Sequence, residues 1–271
     1  MRRSSSPARF LASAAVSAIM AAGLGGCQTM ADIKGALTSK AEAAPEADPR
    51  RAAEVYGERY RANPRDADAA LRYGQALRAT GQRAQAVAVL EQASIAHSTN
   101  KALLSAYGRA LADNGSFKQA FDVLGRAHSP DNPDWRILSV QGTALDQMGR
   151  HEEARRYYAS ALQIAPDEPS VLSNLGLSYV LSKELPKAEE TLRRAQATGR
   201  ADARVRQNLA LAVGLQGRFA EAETIVKADL PADEAAANVA YLKQMLARKD
   251  NPRTAAAKNG KPPVVAFGQT D

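Results

Sequence analysis

One spacing, 34 residues, constrains this chain more than anything else in it. Gly74, Gly108, Gly142 and Gly176 fall on that period, and Ala210 stands where the next glycine would be. Ala86, Ala120, Ala154, Ala188 and Ala222 keep the same period, with Leu90, Leu124, Tyr158, Leu192 and Val226 four residues further on. Between the two sets recur Gly81, Gly115, Gly149 and Gly217, and only Lys183 breaks that series. A small residue, a turn glycine and an alanine followed four residues later by a large apolar residue describe two antiparallel helices joined by a short turn. The small residues let the two helices approach closely, and the large ones fill the space between successive hairpins. One such hairpin cannot bury its own apolar face, so the repeats must stack, and the expected fold class is all-α, a solenoid.

The pattern resembles the tetratricopeptide repeat, a 34-residue helix-turn-helix family, over about residues 49–246. Five repeats are expected within 67–231, at 67–100, 101–134, 135–168, 169–202 and 203–231. Asp48-Pro49 supplies an N-cap and a proline at the first helical position, and Ala52 and Tyr56 lie 34 residues before Ala86 and Leu90. Residues 48–66 therefore read as the second helix of a degenerate repeat, acting as the N-terminal cap. Residues 232–249 read as a C-terminal capping helix with Val239, Leu242 and Met245/Leu246 on one face. Ser98, Asn132 and Arg200 stand where Pro166 closes the third repeat, which leaves those turns less sharply defined. The lone tryptophan, Trp135, opens a first helix after Asn132-Pro133-Asp134 and is expected to pack between repeats. Residues 250–271 are rich in Lys, Pro, Gly and Asn and are expected to be a disordered tail containing one apolar tetrapeptide, Val264-Val265-Ala266-Phe267.

At the other end, Arg2, Arg3 and Arg9 precede an uncharged, mostly apolar run from Phe10 to Leu24, the pattern of a signal peptide over 1–26. It ends in Leu24-Gly25-Gly26-Cys27, which resembles the bacterial lipobox. That resemblance implies cleavage before Cys27 and attachment of a diacylglycerol to its thiol. An ordinary signal peptide containing a cysteine, or a structural thiol, are the other readings. Each acyl methylene buried in a bilayer contributes about 0.8 kcal/mol, so several chains make a lasting anchor. Gln28, rather than aspartate, follows the cysteine, and by resemblance to enteric sorting rules this favours the outer membrane, with the protein facing the periplasm. Residues 27–47, rich in Ala, Glu, Lys, Ser and Pro, read as a tether spanning roughly 25 Å as a coil and at most about 70 Å extended.

Removing residues 1–26 deletes three arginines and no acid, so the formal charge falls from +7 to +4. With both signs mixed and 5% aromatic residues, no basic face with aromatics suggests a nucleic-acid partner. His97, His128 and His151 are isolated from carboxylates and cysteine at metal-ligand spacing, so no metal or cofactor is expected. His151 occupies the turn position of Phe117 and Phe219 in sister repeats and reads as a packing residue. The pairs Glu152-Glu153 and Glu189-Glu190 point to different sides of a helix and make poor acid–base partners. No nucleophile with a base can be assembled, and the chain is expected not to be an enzyme.

The repeat resemblance also implies a binding surface, because the first helices of that family line a concave groove. The residues two before and one after the repeat glycine point into it. Two before stand Arg72, Ala106, Val140, Asn174 and Asn208, and one after stand Gln75, Arg109, Thr143, Leu177 and Leu211. On that carry-over Asn174 and Asn208 would hold a peptide backbone and Arg72 and Arg109 would meet a carboxylate. The C-terminal run from Asn208 through Glu223, Leu230-Pro231 and Asn238-Val239-Ala240-Tyr241-Leu242, together with Cys27 and the repeat layout, resembles the TadD lipoproteins of the tight adherence pilus system. This implies an assembly factor for export of Flp-type pili, with a secretin or its assembly proteins as partners. Two alternatives stay open. One is a repeat lipoprotein of another envelope pathway, serving type IV pili, secretion or outer-membrane protein assembly. The other, from a different class, is a cell-envelope enzyme accessory that binds peptidoglycan or its synthases, or a catalytic protein with an unrecognised site.

Overall fold

The computed structural model describes residues 48–250 apart from residue 130, with side chains to residue 247. The leader 1–26, Cys27, the tether 27–47 and residues 251–271 lie outside the described residues, and Asp250 is the last residue of a helix. Among the described residues there are twelve helices and no strand, apart from one isolated bridge between Ser129 and Asn132. They are α1 Pro49–Ala62, α2 Ala67–Ala79, α3 Arg83–Ala96, α4 Lys101–Asp113, α5 Phe117–Ala127, α6 Trp135–Gln147, α7 His151–Ile164, α8 Pro169–Leu181, α9 Leu185–Ala197, α10 Ala203–Leu215, α11 Phe219–Val226 and α12 Ala232–Asp250.

The two kinds of helix start differently. First helices open on a side-chain cap: Asp66, Asn100, Asp134, Glu168 and Asp202 each accept a hydrogen bond from a backbone N–H two or three residues on. The second helices of the five repeats have no such cap and are entered from a left-handed residue, at Gly81, Gly115, Gly149, Lys183 and Gly217. At each of these turns the next N–H reaches back to the preceding helix, as from Gln82 to the Leu77 carbonyl at 2.8 Å. Lys183 adopts φ 63° and its turn carries the same bond, Glu184 N–H to the Tyr179 carbonyl at 2.8 Å. The departure in the glycine series is thus a change of residue without a change of turn.

Packing explains the remaining period. A Cβ placed on Gly74, Gly108 or Gly176 would stand 2.4–2.5 Å from the branch carbon of Leu90, Leu124 or Leu192, each fully buried. Where Ala210 replaces the glycine, the residue opposite shrinks to Val226, and both are buried in one cluster. In the third repeat the large residue is Tyr158, and it brings a polar network into the core. Its hydroxyl donates to Asp146 Oδ2 at 2.9 Å, while Asp146 Oδ1 accepts from Ser178 at 2.8 Å and pairs with His151 Nδ1 at 2.9 Å. His151, read from sequence as a packing residue, is a hydrogen-bond partner of this buried carboxylate. Desolvation and the Asp146 charge push the Tyr158 phenol well above its ordinary range, so it acts as a neutral donor.

Each helix packs on its neighbours in the chain, and each first helix also touches the next first helix: α2 with α4, α4 with α6, α6 with α8, and α8 with α10. The second helices make no such contacts with one another. Closer approach along one row than along the other curves the stack, with the first helices on its inner side. At the ends, α1 packs on α2 through Tyr56 and Tyr73, and α12 lies on α10 and α11 through Ala235, Val239 and Leu242.

Candidate functional site

The eight positions expected to line a groove all lie on first helices, and the structure treats them unequally. Gln75 and Arg72 are exposed; Arg109, Thr143, Asn174, Leu177 and Leu211 are half-buried; Asn208 is buried at 5% exposure. Asn174 donates from Nδ2 to Ser139 Oγ at 3.1 Å and Asn208 to Ser173 Oγ at 2.9 Å. These bonds run from α8 to α6 and from α10 to α8, so the two amides tie neighbouring first helices together. For Asn208 this is a correction to the expectation of a peptide-holding amide, because its donor faces a buried serine and not the groove. Thr143 donates to the Ser139 carbonyl of its own helix, and its oxygen lies 3.3 Å from the Tyr158 hydroxyl. Arg72 is turned toward α1: Nε donates to Asp68 at 3.0 Å, a terminal nitrogen to the Tyr56 hydroxyl at 3.3 Å, and the guanidinium lies over that ring. The pairing of Arg72 with Arg109 around one carboxylate therefore does not form. The structure brings Gln75 and Arg109 together instead.

Gln75 and Arg109 line a cleft of about 400 Å³ between α2, α4 and the start of α6. Its walls include Arg78, Lys101, His128 and Asp134. The cleft exists because α5 stops early. Helix α3 ends at Ala96 and α7 at Ile164, 34 residues either side of position 130, whereas α5 ends at Ala127. Seven residues, 128–134, then lead to α6, where four suffice at 97–100 and 165–168. His128, Asn132 and Asp134 of this longer connection form one wall. Sequence reasoning missed them because it sampled two positions per repeat. The run Asn132-Pro133-Asp134, where the connections after α3 and α7 have only four residues, was the available signal.

The electrostatics of the cleft are uneven. Arg78 is ion-paired with Asp113 at 2.6 Å, and Asp134 caps α6 by accepting from Arg136 N–H at 2.8 Å. Lys101 reaches Ser129 Oγ at 3.5 Å, and Arg136 stacks over Trp135 at 4.4 Å. Arg109 has no hydrogen bond or ion pair among the described residues, and its Nε is buried without an acceptor. Burial, and then the nearby Arg78 charge, lower its pKa from the ordinary arginine range, against the opposing pull of Asp134 and Asp113. His128 Nε2 lies 3.1 Å from Gln141 Oε1, leaving Nδ1 buried and unpartnered as well. Among the described residues no three of His, Cys, Asp and Glu come together as a metal-ligand set, and no helix is long and apolar enough to cross a membrane.

A tetratricopeptide repeat family matches residues 145–212, and a family described as anaphase-promoting complex, cyclosome, subunit 3 matches residues 50–127. No curated protein matches the chain. Among solved structures, PilW, described as a widely conserved type IV pilus biogenesis factor, superposes with a TM-score of 0.63 at 17% identity, covering 79% of this chain and 99% of that one. PilF of Pseudomonas aeruginosa gives 0.54 at 19% identity, over 69% and 87% of the two chains. The Cut9–Hcn1 tetramer of the anaphase-promoting complex gives 0.62 at 16% identity over 76% of this chain, which spans only 41% of its counterpart. At these identities the likeness is one of fold, and the chain folds as a tetratricopeptide-repeat solenoid.

Proposed function

We propose that this chain is a scaffold without turnover of its own, anchored by lipid at Cys27 in the outer membrane and facing the periplasm, that holds a protein partner on its first-helix face. The observation that carries the binding reading is Arg109, a half-buried guanidinium with no partner among the described residues, set in an open cleft on the inner curve of the stack. A buried donor without an acceptor is costly in the free protein, and a ligand group that met it would remove that cost. Solenoids present such concave faces to extended or helical segments of other chains.

The pathway we assign is assembly and export of tight adherence pili, with a secretin or its assembly proteins as partner. Support comes from the C-terminal resemblance, Asn208 through Glu223 and Asn238 through Leu242, and from the likeness in fold to PilW over nearly all of that chain. The PilW likeness equally favours a second reading, a lipoprotein of the type IV pilus pathway. The test is in-cell crosslinking of the lipidated protein followed by affinity recovery and mass spectrometry. Recovery of the tight adherence secretin supports the assignment; recovery of type IV pilus proteins selects the second reading; peptidoglycan synthases or barrel-assembly components instead remove both. Cys27→Ser is expected to release the protein from the membrane fraction, and retention there would contradict the anchor.

A further inference from the structure

We propose that an apolar segment of this same chain, Val264-Val265-Ala266-Phe267, covers four leucines at the C-terminal end of the first-helix face, so that a partner must displace it to bind there. The contact itself is independent of any partner; what it regulates rests on the reading of that face as the partner surface. The places one and five residues after the repeat glycine hold Gln75 and Ala79, then Arg109 and Asp113, then Thr143 and Gln147. In the last two repeats they hold Leu177 and Leu181 on α8 and Leu211 and Leu215 on α10. Each pair stands one helical turn apart on one face, and α8 and α10 are in contact. Leu181 is 45% exposed and the other three are half-buried. Leu175, Tyr179 and Val180, their neighbours on α8, pack against the hydrophobic clusters of the core, and none of the four leucines does. Apolar side chains gathered where sister repeats are more polar mark a surface that another segment covers.

The position of α12 selects the occupant. Leu242 rests on Gly214 of α10, where a Cβ would stand 2.6 Å from its Cδ2, and Gly214 adjoins Leu215 in the chain. Asp250 ends α12 eight residues after Leu242, about 12 Å along the helix. Helix α8 lies one interhelical spacing beyond α10, about 8–10 Å. Residues 251–263 separate Asp250 from Val264 and can span up to about 45 Å. The four leucines are therefore well within reach. A group joined to the same chain meets its site at an effective concentration on the order of millimolar, which a second copy or a free partner matches only when abundant. Over 251–271 the large apolar side chains are Val264, Val265 and Phe267 alone, so the surface that can cover leucines is confined to this run.

The experiment uses the purified full chain and a fluorescein-labelled peptide of residues 262–269 offered in trans, with binding followed by fluorescence anisotropy. A chain carrying Val265→Ser and Phe267→Ser, whose own segment has lost its apolar groups, is expected to bind the peptide at least tenfold more tightly than the wild type. Tenfold corresponds to a patch about nine-tenths occupied by the tethered segment. Leu181→Asp and Leu181→Gln, added to that chain one at a time, should each weaken binding at least tenfold with the melting temperature unchanged. A benzophenone amino acid in place of Phe267 should give, on irradiation, adducts within one chain that map to residues 169–181 or 203–215. These adducts are read on an otherwise unaltered chain, so the contact stays testable even where a Leu181 variant melts lower. The proposal is overturned if the peptide binds wild type and variant equally or binds neither, if both Leu181 variants bind it as their parent does, or if the adducts join two chains or map elsewhere. None of these readouts needs a partner, so failure of the pilus assignment leaves them readable. A contact found in this way, with partner recovery in cells unchanged by Phe267→Ser, would overturn the displacement.

Discussion

Replacing Gly142 with alanine should destabilise this protein, although alanine is the better helix former. A Cβ there would stand 2.5, 2.8 and 2.9 Å from Cε1, Cζ and Cδ1 of Tyr158. Carbon atoms pack best at about 3.5–4.0 Å, so the contact is short by about an ångström. The ring cannot swing aside: Tyr158 is 1% exposed and its hydroxyl is held by Asp146 at 2.9 Å. Helices α6 and α7 must part. Overpacking of this kind costs about 1–3 kcal/mol. Alanine's helix propensity returns about 1 kcal/mol, so the net loss is up to about 2 kcal/mol. Gly125 in α5 is the matched control, being exposed, with Gln141 Nε2 at 3.7 Å as the nearest atom a Cβ would meet. There the same substitution should stabilise by up to about 1 kcal/mol. Urea denaturation followed by far-ultraviolet circular dichroism measures both midpoints. A Gly142→Ala protein as stable as wild type, or the same sign of change at both sites, would refute the packing argument.

Other substitutions test other parts of the stack. Lys183→Gly should raise stability by about 0.5–1 kcal/mol in thermal melting, because the φ of 63° is strained for lysine and free for glycine, less the entropy glycine adds to the unfolded chain. Asn174→Ala and Asn208→Ala should each lower the melting temperature; loss of the Asn208 bond, about 1–3 kcal/mol, should weigh more, because it strands the hydroxyl of Ser173, which is 0% exposed. Burial opposes ionisation of Glu189, but hydrogen bonds from Arg218, Arg193 and Gln216 outweigh it and pull its carboxyl down to about 2. Its contribution to stability is therefore complete above its ordinary value of 4.5 and is lost as the pH falls toward about 2. The stability gap between wild type and Glu189→Gln, read from denaturation midpoints at pH 6, 4 and 3, should narrow over that range; a gap independent of pH would contradict it.

The solenoid was legible because its determinant is one-dimensional. A small residue facing a large one sixteen residues on leaves its mark in every copy, and even the exchange of Gly and Leu for Ala210 and Val226 keeps the summed size. Lys183 was a visible departure whose consequence was not, since a left-handed turn is set by the bonds around it as well as by residue type. The cleft was not legible, because it depends on where α5 stops and on which acids remain free after Arg78 has taken Asp113. Position alone placed Arg72 and Asn208 in the groove. Their partners Tyr56 and Ser173, sixteen and thirty-five residues earlier, were needed to see that one turns to α1 and the other is buried. The Asp146 network had a trace in the sequence: Tyr158 is the one polar residue in a series of aliphatic ones, and a buried hydroxyl needs an acceptor.

Which face of the solenoid meets its partner can be measured directly in cells by placing a photo-crosslinking residue at one position at a time. Gln75 and Thr143 lie on the first-helix face, and Gln92 and Gln163 are exposed on second helices. Adducts to a discrete partner from Gln75 and Thr143, with none from Gln92 or Gln163, are the expected result. Adducts from the second-helix positions alone would place the interface on the outer face and contradict the assignment of the groove.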